Sequence, residues 1–285
     1  EVTAGRPPRA SPETAGIGEH MSRSGGWLAG KIRTLGWFLL RPKFYNQAFR
    51  ILRYRIVPHA GESTRAQATR WCEDRAVSTR TALRLLLGPG ERRPMAEIER
   101  GRFEEALKSA QAVPVPMGGP GDLDLLYHLA QHERVENVIE TGVAFGWSSL
   151  AILLGIGSSG RLFSIDMPYV KGDNEQYVGS VVPADIRSRW TLIRLPDRRA
   201  LPKALKALGA IQLCHYDSDK TYVGRMWGYR LLWDALESDT FFVSDDISDN
   251  DAFRVFSESV GQEPIVIRPG RPGEGTKYVG VLVKS

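Results

Sequence analysis

Cysteine is nearly absent: Cys72 and Cys214 are the two thiols in 285 residues, far apart and outside any metal-ligand or disulfide pattern. A disulfide-stapled secreted scaffold is thereby excluded, and a reducing, cytoplasmic setting is expected. No run approaches the roughly eighteen apolar residues of a membrane-crossing helix. The first twenty residues are polar and rich in Pro, Gly and Ala, so no secretory signal is expected there. Acids are missing between Ser22 and Gly61, where eight Lys and Arg fall: Arg23, Lys31, Arg33, Arg41, Lys43, Arg50, Arg53 and Arg55. The net charge of +5 is concentrated there, and residues 62–285 sum to −2. A pI near 9.2 is therefore a property of this arm. With no recognisable reader module in it, no nucleic-acid partner is expected.

What is present divides into three regions. Residues 1–26 are breaker-rich and aperiodic, and are expected to be a disordered extension, with Met21 read as a natural start. Residues 27–118 form an expected helical region. Its first part, 27–57, interleaves cations with Trp27, Trp37, Phe38, Phe44, Tyr45, Phe49 and Tyr54, and Pro42 should break it in two. Those aromatics suit packing on the body or on a second copy of the chain. They also suit peripheral contact with an anionic membrane surface. Further on, Ser63 and Ser78 are expected helix caps, and Gly88-Pro89 a helix stop. The Pro/Gly loop Val113–Gly121 reads as the domain boundary, and residues 119–285 as the main domain.

In that domain strands and helices alternate, which predicts an α/β fold with a mostly parallel, doubly covered sheet. Seven strands are expected: 137–141, 162–165, 191–194, 211–216, 241–244, 264–268 and 278–283. The last two are joined too tightly for a helical crossover and should form an antiparallel hairpin.

Ligands of such sheets gather at the strand ends. After the first strand of the domain, Glu140-Thr-Gly-Val-Ala-Phe-Gly146 makes a glycine turn into a helix beginning near Ser148 or Ser149. Gly142 and Gly146 let backbone approach a ligand. Ala144 interrupts the pattern a pyrophosphate would need, which disfavours a nicotinamide dehydrogenase. Glu140 suits the amino group of a cationic ligand. Asp166 ends the next strand, where a carboxylate can accept both ribose hydroxyls, and Asp197 is placed to meet a base edge. The later strands end in His215-Tyr-Asp217-Ser-Asp219-Lys220 and in Asp245-Asp246. Acids crowded this way repel one another unless a cation lies between them. A divalent metal with a lysine beside it is the expectation.

The ETGVAFG turn, the FSID strand end and the closing hairpin resemble the class I S-adenosylmethionine-dependent methyltransferases over about residues 120–285. The resemblance implies a Rossmann-like sheet with an antiparallel last strand. It implies S-adenosylmethionine held by Glu140, Gly142, Gly146, Ser148, Asp166 and Asp197. Asp217-x-x-Lys220 is similar to the metal-dependent catechol and caffeoyl-CoA O-methyltransferases, while the acid pair Asp245-Asp246 and the HYDSDKTY run are closer to the macrocin-type sugar branch. On that resemblance Asp217, Asp245 and Asp246 would hold Mg2+, and Lys220 with Asp217 would be catalytic, the lysine as base. Asp219 is read as either an extra donor or a neutraliser of Lys220. Nearby, His215 is expected to be a satisfied core histidine, Asn250 to face substrate, and Arg225 and Arg230 to be solvated charges.

The function expected is Mg-assisted methyl transfer to a hydroxyl of a sugar, polyol, similar small molecule or glycan, with an aromatic diol as the other acceptor weighed. The alternative is a non-catalytic methyltransferase-like module whose basic arm docks a membrane or partner.

Overall fold

The structure, a computed structural model, describes residues 34, 36–49, 65–169, 174–270 and 277–285. The expected 1–26 extension and the Ser63 cap lie outside the described residues. Among those described, no helix is long and apolar enough to cross a membrane. The chain divides into two units, residues 1–52 and 53–285.

In the first unit Pro42 opens a 3-10 turn, Pro42–Phe44, as its locked φ and missing N–H dictate. Trp37 packs against Phe38 and Phe44, with ring centroids 5.0 Å apart in each pair. Leu39, Leu40 and Phe49 are exposed.

The second unit is a single sheet covered on both faces. Its strands are β1 (Val77–Ser78), β2 (Asn137–Thr141), β3 (Arg161–Ile165), β4 (Trp190–Ile193), β5 (Ile211–Tyr216), β6 (Leu236–Ser244), β7 (Ile265–Arg268) and β8 (Val279–Lys284), in the order β1-β7-β8-β6-β5-β2-β3-β4. Pairing is parallel except along β8, which runs antiparallel to both β6 and β7. Among the described residues, eight strands stand where seven were expected. The extra one is the two-residue β1, parallel to β7 and too short to leave a period in the sequence.

Strand alternation sends each side chain to one of two cores. Val138, Leu213 and Val243 join the helices Thr79–Leu87 (α2), Leu123–Ala130 (α5) and Trp147–Gly155 (α6). Ile139, Cys214 and Phe242 join Arg65–Glu73 (α1), Asp197–Leu208 (α7), Tyr222–Ala235 (α8) and Ala252–Ser259 (α9). Every residue of β5 is buried, as a central strand requires.

Helices that the sequence assigned to a separate region thus belong to the sheet's own core. Ala82 and Leu83 of α2, Met95 of α3 (Met95–Ile98) and Ala106 of α4 (Arg100–Gln111) share the first core with the strands. The division into two units falls near residue 52. Locally, α2 starts and stops as its ends direct: the Ser78 hydroxyl accepts from the Thr81 amide at 3.2 Å, and Gly88 ends the helix at φ 79°.

Candidate active site

At the carboxyl ends of β2, β3, β5 and β6 lies a cavity of about 550 Å³. Its floor is the turn after β2. Gly142 adopts φ 84°, its amide donates to the Ile165 carbonyl at 2.8 Å, and a Cβ there would stand 2.5 Å from the Asp217 carbonyl oxygen. The loops after β2 and β5 are therefore in backbone contact, and only glycine permits it. Val143 and Ala144 continue the floor, and Trp147 and Ser148 of α6 form the wall behind it.

The side chains expected to bind a cofactor separate into two groups. Gly142, Ser148 and Asp166 line the cavity, whereas Glu140, Gly146 and Asp197 do not. Glu140 is fully buried beneath the turn, accepting from the hydroxyls of Ser149 at 2.5 Å and Ser164 at 2.6 Å. Its carboxylate ties α6 and β3 to β2, so it shapes the floor from below. Gly146, at φ 91°, begins α6 and packs against Gly179 and Val182. Asp197 is the first residue of α7 and accepts from Ser218 at 2.5 Å. Burial raises its pKa to about 6 against that hydrogen bond. Asp166 keeps an ion pair with Arg194 at 2.8 Å, and burial raises its pKa against the pull of the guanidinium. The half-buried Asp166 carboxylate thus stands one strand over from the glycine floor, backed by a cation.

The other end of the cavity holds Asp217, Asp245 and Asp246, all on its wall. Each is already engaged by a cation of the chain. Lys220 Nζ contacts Asp217 Oδ1, and lies 3.0 Å from Asp246 Oδ2. His215 Nε2 lies 3.5 Å from Asp245 Oδ1, and Lys277 Nζ 3.8 Å from Asp246 Oδ1. Burial, then repulsion from Asp245, raises the Asp217 pKa to about 6. Asp245 is held below the usual carboxylate range because His215 outweighs its burial. Burial alone would lower Lys220, but Asp217 and Asp246 raise it, so it stands as an ammonium. Among the described residues no three acid, histidine or cysteine side chains are grouped to hold a metal ion. The donor set as folded does not fit the magnesium ion expected from the sequence, because a lysine lies among its oxygens.

Several neighbours differ from expectation. His215 is buried but also lines the cavity, with Nδ1 3.6 Å from Glu140 on one side and Asp245 on the other. Burial would depress it, yet the two acids raise its pKa to about 10. Asp219 neither adds a donor nor pairs with Lys220. Its carboxylate accepts from the Thr221 amide at 3.0 Å and hydroxyl at 2.8 Å, ahead of α8. Asn250 is buried and donates to the Lys220 carbonyl at 2.8 Å, so it fixes the lysine's backbone. Arg225 is fully buried, donating to the Asp246 carbonyl at 2.9 Å and to Tyr229 at 3.0 Å, whereas Arg230 is exposed as expected. Asp246 needs that support, since it sits at φ 52°.

Sequence reasoning also missed the loop Gly118–Asp122, which was read as a boundary and instead lines the cavity. Gly121 lies so close to Asp245 that a Cβ would come within 3.0 Å of Oδ2. The Gly-Gly-Pro-Gly run was the available signal. From the hairpin end, Arg268 and Lys277 complete the wall.

Residues 139–247 match the family model described as a methyltransferase domain. No curated protein matches the chain by sequence. Among solved structures, it is similar to an O-methyltransferase from Bacillus cereus in complex with SAH. That likeness has 15% identity and a TM-score of 0.54, covering 75% of this chain and 100% of the other. It is also similar to the O-methyltransferase TomG of Streptomyces achromogenes, involved in tomaymycin synthesis and solved with SAM. There the identity is 16% and the TM-score 0.53, over 75% of this chain and 98% of the other. The architecture is thus the Rossmann-like class I methyltransferase fold. The matched segment runs from β2 through the acid pair after β6, and so spans both ends of the cavity.

Proposed function

We propose that this chain is an S-adenosylmethionine-dependent O-methyltransferase, acting on a hydroxyl of a sugar, polyol or similar small molecule or glycan. The observation that carries the reading is one cavity lined by the glycine floor, Asp166, Asp217 and the acid pair, with Lys220 paired to Asp217 and Asp246 beside it.

When bound, S-adenosylmethionine supplies an electrophilic methyl group. Asp166 would accept the ribose hydroxyls, Gly142 and Ser148 would give close backbone and hydroxyl contact, and Glu140 and Gly146 would hold the floor's shape. A hydroxyl is a weak nucleophile until its proton leaves. Asp217 lines the cavity with a pKa of about 6, which suits a proton acceptor near neutral pH. The Lys220 ammonium beside it stabilises the negative charge developing on the acceptor oxygen. The carboxylate, not the lysine expected from the sequence, is the base in this reading, and no step passes through magnesium. A polar, acid-lined wall favours a polyhydroxyl acceptor over a flat aromatic diol.

Isothermal titration with S-adenosylhomocysteine, followed by methyl transfer to a panel of sugars and polyols, tests the reading. Binding near one per chain, with turnover lost in Asp217→Asn, is expected. Absence of binding overturns it and favours a non-catalytic module. For residues 27–57, the exposed Leu39, Leu40 and Phe49 support a surface role as a dimer or peripheral membrane contact. Sedimentation with and without anionic vesicles separates those two.

A further inference from the structure

We infer that the Lys220 side chain is the resident cation of the carboxylate cluster. The chain accordingly takes no divalent ion at Asp217, Asp245 and Asp246, and removing the lysine's charge converts the cluster into a metal site. The inference deepens the proposed reaction by naming what supplies positive charge at the acceptor end.

The geometry leads there in three steps. First, one ammonium spans two strand ends, meeting Asp217 after β5 and Asp246 after β6. A magnesium ion needs near-octahedral oxygen ligands about 2.0–2.1 Å away, and the volume it would fill between those oxygens is taken by Nζ. Second, the lysine is held by more than its charge. Asn250 donates to its carbonyl at 2.8 Å, and the Asn250 side chain also accepts from the Ala252 amide at 3.1 Å. The backbone that carries Nζ into the cluster is thus fastened to the start of α9. Third, the other two acids of the cluster lie near further cations. Asp245 Oδ1 faces His215 at 3.5 Å, and Asp246 Oδ1 faces Lys277 at 3.8 Å. Asp217, Asp245 and Asp246 thus each already face a cation of the chain, so an incoming divalent ion would meet resident positive charge. Two carboxylate oxygens already spaced to share one cation become competing metal donors once that cation is deleted.

The test is Mn2+ binding to the full chain, read by electron paramagnetic resonance and calorimetry, with S-adenosylhomocysteine affinity measured in parallel. Wild type is expected to show no stoichiometric site. Lys220→Ala is expected to gain one Mn2+ per chain, with affinity raised at least about tenfold, and Lys220→Ala/Asp217→Asn to lose it. One tight Mn2+ in wild type, abolished by Asp217→Asn, would overturn the inference, as would a folded Lys220→Ala that gains none. Should Lys220→Ala fail to fold, the wild-type titration decides alone. Because S-adenosylhomocysteine binding is scored separately, loss of the methyltransferase reading is distinguishable from loss of this one.

Discussion

Arg225→Met is the most informative single substitution in the protein. Arg225 is fully buried, donates to the Asp246 carbonyl at 2.9 Å and to Tyr229 Oη at 3.0 Å, and lies 3.9 Å from Asp249. Methionine fills similar space, so the change isolates the polar contacts. Tyr229 keeps Ser244 at 2.6 Å, and Asp249 keeps Arg65 at 3.0 Å, so neither is stranded. The Asp246 carbonyl loses its charged donor, a loss of about 1.5–3 kcal/mol. For a unit of this size each kcal/mol moves the melting temperature by roughly 2–4 °C, so a fall of about 3–12 °C is expected. Asp246 would then relax from φ 52° and release Lys220, and methyl transfer should fall further than stability alone explains. Thermal melts by circular dichroism, with Arg230→Met as control, are the assay. The exposed control should stay within about 1 °C of wild type, as surface changes do. If both variants melt alike, the buried-arginine argument fails.

Three other outcomes are expected. Gly142→Ala imposes a left-handed backbone costing about 1–2 kcal/mol and drives a Cβ against the Asp217 carbonyl; calorimetry should show weakened S-adenosylhomocysteine binding, and unchanged affinity would refute the floor. The methyl-transfer rate should rise with pH through about 6 and then level, since Asp217 must lose its proton to act; a rate already flat from pH 5 would remove it as base. His215 has a folded pKa raised from 6.5 to about 10. Its ion pairs therefore stabilise fully below pH 6.5, and that stability is lost as pH rises through about 10. Urea midpoints should decline across that window in wild type and less steeply in His215→Asn.

The sheet was legible in the sequence because its strands, covered on both faces, are short apolar runs bounded by breakers. β2 and β5 match their expected limits, and the antiparallel ending follows from the short link between β7 and β8. That the α2–α4 helices pack into the first core could not be read in advance, because amphipathic periodicity marks a buried face without saying what buries it. The acids at strand ends could be read for the same reason as the sheet, since topology alone gathers them. Their pairing could not. Whether Lys220 stands beside a metal or among its would-be ligands depends on the path of the loop after β5, which no spacing encodes. Arg225 and Arg230 look alike on paper, five residues apart on one helix, and only packing separates the buried one from the exposed one. His215 was hidden by its apolar neighbours, although the strand that buries it also delivers it to two acids.

The position of β8 joins two parts of the sheet. This strand lies between β6 and β7, and β7 with β1 reaches the rest of the sheet only across it. Until residues 279–284 insert, the chain carries two half-sheets with open edges that invite pairing with other chains. The wall that carries Arg268 and Lys277 closes in the same event. The two inner sheet edges and the closed cavity wall therefore depend together on one strand.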